Sequence, residues 1–481
     1  MNRSSLLAAA GVFAFAIAVH LLVPSISPAE PALASPAAAP AGKVPRAMSE
    51  VQLTFAPVVK RVAPAVVNVY SRSVVQAPAM NPFFGDPFFQ QFFGTPQMRQ
   101  RVQQSLGSGV IVRADGLILT NNHVIQGGQD VVVALSDKRE FKAKVVLADA
   151  RTDLALLKID AHSEKLPTVE FGDSDRLQVG DLVLAIGDPF GVGQTVTMGI
   201  VSALARTEVS ASNYQFFIQT DAAINPGNSG GALVTTDGKL AGINTAIFSR
   251  SGGNIGIGFA IPANLARRVV EGATTGGVKL PWIGADGQSV TGEIAASLGL
   301  SRPQGVVLKS IYPGGPAAKA GLKTGDVILS VDGAEVGDMQ SLNYRIATRK
   351  PGDKARLSVS SNRHARDVGV VLALPPGSAA RDASTIGGRN PLTGARVESL
   401  SPAVALDLQL DLMANGVVIR AVSGNTPAAG YGLQPGDVVR SVNGQAITGV
   451  GQLKHVLDAA GGHWDMVIDR GGQRMNLRVD G

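Results

Sequence analysis

The chain has 481 residues, which at about 150 residues per domain excludes one small module and suggests about three domains. It contains no cysteine, and this excludes a disulfide framework, a thiolate nucleophile, an iron–sulfur cluster and a cysteine-ligated zinc. The formal net charge is only +6, and no basic stripe with interleaved aromatic residues follows the chain, so we expect no nucleic-acid partner. Its 57 glycines, together with many branched aliphatic residues, predict a folded, turn-rich and mostly β protein.

The N-terminal segment is apolar. Arg3 precedes a run from Leu6 to Val23, which is longer than most signal-peptide cores and at the short limit of a membrane-spanning helix. Two interpretations therefore remain for residues 1–34, a cleaved export signal or an inner-membrane anchor formed by residues 6–23. Residues 35–48 are rich in alanine and proline and predict a linker, because such a composition cannot build a core.

The first folded domain is predicted over residues 49–275. Helical spacing over Ser49–Val62 is followed by alternating residues over Ala65–Val75, and short strand-like runs then continue to residue 261. Asp115-Gly116 and Asp237-Gly238 are typical of hairpin turns. Many strands without intervening helices favour barrels or a sandwich over a parallel α/β sheet. A short helix capped by Asn264 then ends the domain. The predicted strands after the first are Gly109–Val112, Leu117–Thr120, Asp130–Leu135, Phe141–Leu147, Leu154–Ile159, Leu182–Ile186, Thr195–Leu204, Tyr214–Thr220, Lys239–Thr245 and Ile257–Ile261.

The rest of the chain contains an internal repeat. Pro316-Ala317-Ala318, Gly325-Asp326-Val327 and Gly333 recur 111 residues later, from 316 to 427. Each copy continues with an amphipathic helix, near residues 339–346 and 453–457. The sequence therefore predicts two copies of one module, residues 279–374 and residues 389–481, joined by a linker over residues 375–388.

A serine flanked by glycines carries the predicted chemistry. Gly227-Asn228-Ser229-Gly230-Gly231 can present Ser229 on a tight turn, with unhindered backbone N–H groups for a developing oxyanion. The segment also fits G-x-S-x-G, the nucleophile turn of α/β-hydrolases, but that fold needs its acid and then its histidine after the serine. The later histidines all lie inside the repeats, and the strand–helix alternation of that fold is missing. The order His, Asp, Ser is that of two-barrel, chymotrypsin-like enzymes.

Two histidines lie between the first strand and Ser229. His123 follows a predicted strand, where an imidazole is well placed to accept a proton, whereas His162 lies in a polar run typical of a solvated loop. Asp153 directly precedes an apolar strand, which favours it as the acid. The residues alone leave three other candidates for the acid open: Asp149, Asp181 and Asp221.

Three segments together carry a family resemblance. Residues 120–124 (TNNHV), 152–157 (TDLALL) and 220–233 (TDAAINPGNSGGAL) resemble the three catalytic blocks of the HtrA/Deg serine endoproteases, and the repeats resemble that family's PDZ domains. The resemblance implies a chymotrypsin-like double β-barrel followed by two PDZ domains. It also implies His123 as general base, Asp153 as its orienting carboxylate and Ser229 as nucleophile, with an oxyanion hole formed by the N–H groups of Gly227, Asn228 and Ser229.

The resemblance implies substrate contacts as well. Ile224 and Ile247 would line a shallow S1 pocket that favours small or β-branched aliphatic residues; alternatively Ile224 is ordinary barrel core. Trp282-Ile283-Gly284-Ala285 stands where the first PDZ domain should bind a peptide carboxylate. Leu392-Thr393-Gly394-Ala395 is a looser match in the second, so a packing role there is as good an interpretation.

The function predicted in this way is degradation of misfolded exported proteins in the periplasm by a homotrimer or a multiple of trimers. No cofactor or metal is required, and the sequence has no G-x-x-x-x-G-K-[ST] loop for ATP. The partners are unfolded polypeptides and their C-termini. A second hypothesis, from a different class, is a PDZ-based holdase or assembly factor in which cleavage is secondary.

One segment does not fit a polar loop. Residues 81–94 hold six of the chain's 16 phenylalanines, and an exposed patch of that kind would promote association. Its position before His123 matches the long regulatory loop of the HtrA/Deg family. We therefore predict that these rings are buried between subunits in a resting oligomer.

Overall fold

The structure is a computed structural model. It describes residues 54–75, 101–128, 130–162, 164–189, 193–206, 216–247, 256–273, 277–378, 381–408 and 410–481. The predicted leader, the alanine- and proline-rich linker and the phenylalanine-rich segment all lie outside these residues. In the part that is described, no helix is long and apolar enough to cross a membrane.

The first six strands close into a barrel in the order β1-β2-β3-β6-β5-β4. A short helix, α1 (Ala56–Val62), leads into it. The central strands β3 and β6 are apolar and almost wholly buried, because they face the barrel core on one side and packed neighbours on the other. The predicted hairpin turn at Asp115-Gly116 is confirmed by the positive φ of Gly116, 91°. The strands are β1 Val66–Val75, β2 Arg101–Arg113, β3 Leu117–Asn121, β4 Asp130–Ala134, β5 Glu140–Asp149 and β6 Leu154–Lys158, with helix α2 (Asn122–Ile125) after β3.

The next six strands close a second barrel in the order β10-β11-β12-β9-β8-β7. The sequence analysis missed β10, because its four residues directly follow the glycine-rich serine segment and give no alternating pattern. Helix α3 begins at Ala263, and Asn264 does not cap it; the Asn264 side chain instead donates to Asp173 at 2.8 Å. The elements are β7 Leu182–Gly187, β8 Thr195–Arg206, β9 Phe217–Thr220, β10 Ala232–Thr235, β11 Leu240–Ile247, β12 Gly258–Pro262 and α3 Ala263–Gly272.

The first repeat forms a sheet in the order β13-β14-β15-β17-β18, with β16 paired to β15. Strand β13 is an edge strand and helix α6 packs beside it, since a Cβ built on Gly287 of the strand would lie 3.3 Å from Met339 Sδ. The elements are β13 Ala285–Ser289, α4 Gly292–Leu298, β14 Val306–Ile311, α5 Pro316–Lys319, β15 Val327–Val331, β16 Ala334–Glu335, α6 Met339–Ala347, β17 Lys354–Ser361 and β18 His364–Val371.

The second repeat has the same sheet with one addition. Its order is β19-β20-β21-β22-β24-β25, so the strand β19 (Ser384–Thr385) lies outside β20, the counterpart of β13. Part of the segment predicted as a linker over residues 375–388 is therefore a strand. The remaining elements are β20 Ala395–Ser399, α7 Pro402–Leu408, β21 Val417–Val422, α8 Pro427–Gly430, β22 Val438–Val442, β23 Gln445–Ala446, α9 Val450–Ala459, β24 His463–Arg470 and β25 Gln473–Asp480.

A buried aspartate explains the repeated Gly-Asp-Val motif. Asp326 and Asp437 are 4% and 1% exposed. Each carboxylate pairs with an arginine from a closing strand, Arg366 at 3.2 Å and Arg470 at 2.6 Å. Each also accepts a backbone N–H from the turn before it. Because a buried charge is stable only when it is paired and hydrogen-bonded, both copies keep the same residue.

Both repeats contact the barrels. Tyr344 of α6 stacks on Phe216, with ring centroids 4.0 Å apart and planes within 4°. The Tyr344 hydroxyl lies 3.2 Å from Asp175, and burial raises the pKa of this phenol far above its usual range. From the second repeat, Asp407 reaches Arg151 of the first barrel at 3.3 Å. Both contacts place repeat modules directly against the double barrel.

Candidate active site

The first barrel supplies an imidazole and a carboxylate that contact each other. His123 lies in α2, two residues beyond the end of β3, and Asp153 directly precedes β6, the strand paired with β3. His123 Nδ1 is 2.8 Å from Asp153 Oδ2, and the His123 backbone N–H donates to Asp153 Oδ1 at 3.0 Å. The antiparallel pairing of β3 with β6 therefore brings together two residues that are 30 apart in the chain.

Hydrogen bonds and an unusual backbone conformation fix the position of Asp153. Its φ of 54° lies in the left-handed region, which aspartate tolerates better than most residues. Its carbonyl accepts hydrogen bonds from Asn122 N at 3.0 Å and Asn121 Nδ2 at 3.1 Å. These contacts hold the backbone of Asp153, from which its carboxylate reaches the imidazole.

Thr245 of β11 completes this network, and the sequence analysis did not identify it. Its hydroxyl donates to Asp153 Oδ2 at 2.9 Å, across the junction between the two barrels. The Thr245 side chain is buried, so water does not replace this bond. Nothing in the local sequence marks Thr245, because only the packing of the barrels brings it to the carboxylate.

The structure separates Asp153 from the alternatives that the sequence left open. Asp149 pairs with Arg151 at 2.9 Å, and Asp181 accepts the backbone N–H of Gln178. Asp221 accepts the N–H of Ile200 at 2.7 Å. His162 is exposed on a turn beside Asp160. Within the described residues, none of these three carboxylates hydrogen-bonds to His123.

The second barrel presents Ser229 on a loop that requires glycine. A Cβ on Gly230, which has φ +84°, would lie 2.0 Å from the carbonyl oxygen of Ser108. Ser108 is fully buried and anchors the loop: its N–H donates to Ser229 O at 2.7 Å, and its hydroxyl donates to Gly227 O at 2.6 Å. The same hydroxyl accepts the N–H of Asp188 at 2.9 Å. Ser108 thus connects the first barrel to the serine loop.

Two of the three predicted oxyanion donors are available. The N–H groups of Gly227 and Ser229 have no hydrogen-bond partner within the described residues. The N–H of Asn228 donates to Asn225 O at 3.0 Å, which closes the turn, so in this conformation that N–H is already engaged and its role as a third donor stays a prediction. Two N–H groups that point at the same oxygen are enough to bind one oxyanion.

The Ser229 hydroxyl does not contact the imidazole in this conformation. Ser229 Oγ donates to the carbonyl oxygen of Thr245 at 2.9 Å, and no bond to His123 occurs among the residues described. Hydrogen bonds of this kind are often long or unformed without substrate and tighten when it binds. Proton transfer from Ser229 Oγ to the His123 imidazole therefore requires the Ser229 side chain to leave the Thr245 carbonyl.

A buried carboxyl lies behind the serine loop. Asp188 is 2% exposed, and its Oδ1 has no partner among the described atoms. Burial raises the pKa of Asp188, although the positive charge of Lys138 and a backbone N–H of Gly193 oppose the shift. Ionisation of this group consequently costs stability in the folded chain.

Of the two residues predicted to line the S1 pocket, the side chain of Ile224 is described and that of Ile247 is not. Ile224 is 1% exposed and packs in the core cluster of the second barrel with Ile218 and Ala260, so it forms no wall of an open pocket here. It abuts Gly258, where a Cβ would lie 2.8 Å from Ile224 Cδ1. Ile247 ends β11, and its side chain lies outside the description.

The predicted carboxylate loop of the first repeat precedes an edge strand. Trp282 and Ile283 are buried, Gly284 has φ +71°, and Ala285 begins β13. The carbonyl of Gly284 accepts from Tyr312 N, but the Gly284 N–H has no partner in the described residues. A free N–H at the start of an open strand edge is what a peptide carboxylate needs.

Two closed barrels, with a histidine–aspartate pair on one and a glycine-flanked serine on the other, define a serine endopeptidase of the trypsin-like class. The trypsin-like peptidase domain family matches residues 107–243, and the PDZ domain family matches residues 281–372 and 391–480. The predicted fold class, a chymotrypsin-like double barrel followed by two PDZ domains, is confirmed. We call the first repeat PDZ1 and the second PDZ2.

Several known serine endoproteases are similar to this chain over most of its length or over two thirds of it. A probable periplasmic serine endoprotease, DegP-like, from Marinomonas sp. (strain MWYL1) is 42% identical over 420 residues, which cover 84% of this chain and 87% of the relative. A protein of the same name from Pseudomonas fulva (strain 12-X) is 43% identical over 416 residues, 82% of this chain and 86% of the relative. The solved structure of the HtrA-type protease AlgW with a decapeptide is 48% identical, with TM-score 0.50, and covers 67% of this chain and 99% of that one. The chain belongs to the HtrA family of DegP-like serine endoproteases.

Proposed function

We propose that this endoprotease degrades unfolded polypeptides in the periplasm without ATP, with Ser229 as nucleophile, His123 as general base and Asp153 as its orienting carboxylate. The observation that carries the proposal is the hydrogen-bonded series Thr245, Asp153 and His123, beside a serine loop with two free N–H groups. The periplasmic location is proposed from the names of the similar proteins.

The mechanism follows from these positions. Once substrate brings the Ser229 hydroxyl to the imidazole, His123 takes its proton while Oγ attacks the peptide carbonyl. Asp153 keeps the imidazole in the tautomer that has Nδ1–H, because Nδ1 faces the carboxylate at 2.8 Å. The N–H groups of Gly227 and Ser229 bind the developing oxyanion, and water then hydrolyses the acyl-enzyme.

Substrate selection is proposed to use two places. A small or β-branched aliphatic residue would enter beside the serine loop, and the C-terminus of an unfolded chain would add to β13, with its carboxylate at Gly284 N–H. Homotrimers or multiples of trimers, and anchoring through residues 6–23 where the leader is not cleaved, belong to the same proposal. Light scattering after size exclusion tests the first, and carbonate extraction of membranes tests the second.

Casein digestion tests the enzyme assignment. We expect the purified chain to degrade casein in the absence of ATP, and Ser229→Ala to lose this activity while it keeps its fold, because the hydroxyl carries chemistry and little packing. Ser297→Ala is a matched control on an exposed helix and should digest casein normally. Retention of more than a few per cent of the turnover by Ser229→Ala would overturn the assignment.

The holdase hypothesis is favoured by one observation, that Ser229 Oγ bonds to Thr245 O instead of His123. A chain resting in this state would bind unfolded protein without cutting it. The Ser229→Ala variant separates the two functions, because a holdase would still suppress aggregation of a denatured client. If the variant neither cuts nor suppresses aggregation, holding is not an independent function.

A further inference from the structure

The peptide-binding edge of PDZ2 is covered by the chain itself. Strand β19 pairs antiparallel with β20, with Ser384 opposite Val397 and Thr385 opposite Arg396. The ladder continues at Ile386, whose N–H donates to Ala395 O at 2.9 Å and whose carbonyl accepts from Gly394 N at 2.9 Å. PDZ domains bind an extended peptide by adding it as a strand at this edge. In PDZ2 that strand is already present.

The side chains of this segment alternate as those of a bound peptide would. Successive residues of a strand point to opposite faces, so Ser384 and Ile386 share one face and Thr385 takes the other. Ile386 is 2% exposed and joins the apolar cluster of PDZ2 that includes Leu453 of α9. Thr385 is exposed. Ile386 thus fills an apolar pocket beside the helix, as an aliphatic last residue of a peptide would.

The residue two positions earlier also meets the helix. Lys454 of α9 donates from Nζ to Ser384 Oγ at 2.6 Å. An ammonium at this place selects an oxygen acceptor, either a hydroxyl or a carboxylate. At the other end of the segment, the Ile386 carbonyl occupies the Gly394 N–H that a terminal carboxylate would otherwise receive.

Upstream contacts hold the segment on PDZ2. Asp382 accepts the N–H of Ser399 at 2.9 Å, and Arg381 pairs with Asp407 at 2.6 Å and with Glu398 at 3.4 Å. Burial alone would raise the pKa of Asp382, but hydrogen bonds from the Ser399 hydroxyl and N–H hold that pKa below its usual value. The segment is therefore tied to the domain by charge as well as by strand pairing.

PDZ1 provides the contrast within the same chain. Gly284 stands where Gly394 stands in PDZ2, yet its N–H has no partner in the described residues. No described strand pairs with the outer edge of β13. The two modules have the same fold, and among the residues that the structure describes a strand fills the groove of the second alone.

We propose that residues 384–386 are an internal ligand of PDZ2 and that the groove beneath them is a second peptide site. The site takes a C-terminus with an aliphatic last residue and a hydroxyl or carboxylate on the third residue from the end. A tethered segment acts at an effective concentration of about 1 mM. With an intrinsic dissociation constant of about 10–100 μM for the segment itself, an external peptide therefore binds roughly 10- to 100-fold more weakly than it would to an empty groove. This inference concerns PDZ2 and goes beyond the proposed protease function.

The test uses the full-length chain carrying Ser229→Ala, so that the probe is not cut. The probe is a fluorescent, photoreactive decapeptide that ends in Ser-Thr-Ile with a free carboxylate, and mass spectrometry assigns each cross-link to PDZ1 or PDZ2. We expect Ile386→Asp to increase binding at PDZ2 by 10- to 100-fold. Thr385→Ala is the matched control, because its side chain faces solvent, and it should leave binding unchanged.

Specificity is tested on the opened variant. A probe ending in Ala-Thr-Ile, or one with an amidated C-terminus, should bind Ile386→Asp at least 5-fold more weakly than the parent probe. If both bind equally well, the assigned ligand class is wrong. If the chain without the Ile386 change labels PDZ2 as strongly as Ile386→Asp does, the groove is not self-occupied.

Hydrogen exchange in a chain that keeps Ile386 tests the proposal even where Ile386→Asp fails to fold. In the Ser229→Ala chain the amides of Ile386 and Gly394 should exchange at least 10-fold more slowly than the exposed amides of Gly387 and Gly388. Saturating probe should speed exchange at Ile386 and leave β24 protected. Fast exchange at Ile386 without probe overturns the proposal, whatever the variant does.

Discussion

Thr245 offers the sharpest test of the site geometry. Its hydroxyl donates to Asp153 Oδ2 at 2.9 Å from a buried position, and valine has nearly the same shape without that donor. A hydrogen bond to a charged group contributes about 1.5–3 kcal/mol, and each 1.36 kcal/mol is about tenfold in rate. We therefore expect Thr245→Val to lower kcat/KM about 10- to 100-fold, since a less restrained carboxylate orients the imidazole less well.

The assay is cleavage of a short fluorogenic peptide, with thermal melting recorded on the same samples to separate activity from stability. Thr245→Ser is the matched variant, because it keeps the hydroxyl and should retain at least a third of the activity. Both variants keep the backbone carbonyl that accepts from Ser229, so that contact is constant. Near-normal activity of Thr245→Val, or an equal loss in Thr245→Ser, would refute the role of the hydroxyl.

Three further predictions concern the loop and the domain contacts. Ser108→Ala leaves the buried carbonyl of Gly227 without its donor, so we expect a loss of about 1–3 kcal/mol in unfolding free energy and about tenfold lower peptide turnover; unchanged melting and turnover would contradict this. Asp188→Asn should raise the free energy of unfolding at pH 7. Burial raises the folded-state pKa of Asp188 above 3.8, so the stability that this carboxyl contributes is present below pH 3.8 and is lost as the pH rises. Urea titrations at pH 3 and pH 7 measure the difference in unfolding free energy between Asp188→Asn and the unchanged chain, and an equal difference at both pH values would exclude the effect. Tyr344→Ala removes the ring stacked on Phe216 and should expose PDZ1 and the second barrel to faster hydrogen exchange at their contact, whereas Tyr344→Phe keeps the stacking and should remain protected.

The sequence determined the parts of this protein that local chemistry dictates. Gly227 and Gly230 flank Ser229 and both have a positive φ, and a Cβ on Gly230 would lie 2.0 Å from Ser108 O. The conformation of the nucleophile turn therefore follows from the residues of the turn itself. The 111-residue repeat likewise encodes two equal modules, because each Gly-Asp-Val motif needs the same buried aspartate. Chain order and the three sequence blocks then indicated the family.

Tertiary structure decided the contacts that join distant segments. Without the family resemblance, the residues alone left Asp149, Asp181 and Asp221 open beside Asp153, because all four are aspartates beside strands. The structure shows the physical reason for the choice, since the pairing of β3 with β6 brings Asp153 to His123. Thr245 was missed for the same reason, since the packing of two barrels brings it to the carboxylate.

PDZ2 shows most clearly what the sequence alone could not predict. Residues 384–386 have the composition of a linker, and their strand conformation comes from the open backbone donors and acceptors of β20 and from the pocket that buries Ile386. A short polar segment gains a strand conformation only from such a partner, because it lacks the length and apolar pattern to form one alone. The sequence therefore determined which modules fold, and the tertiary structure decided which groove is open.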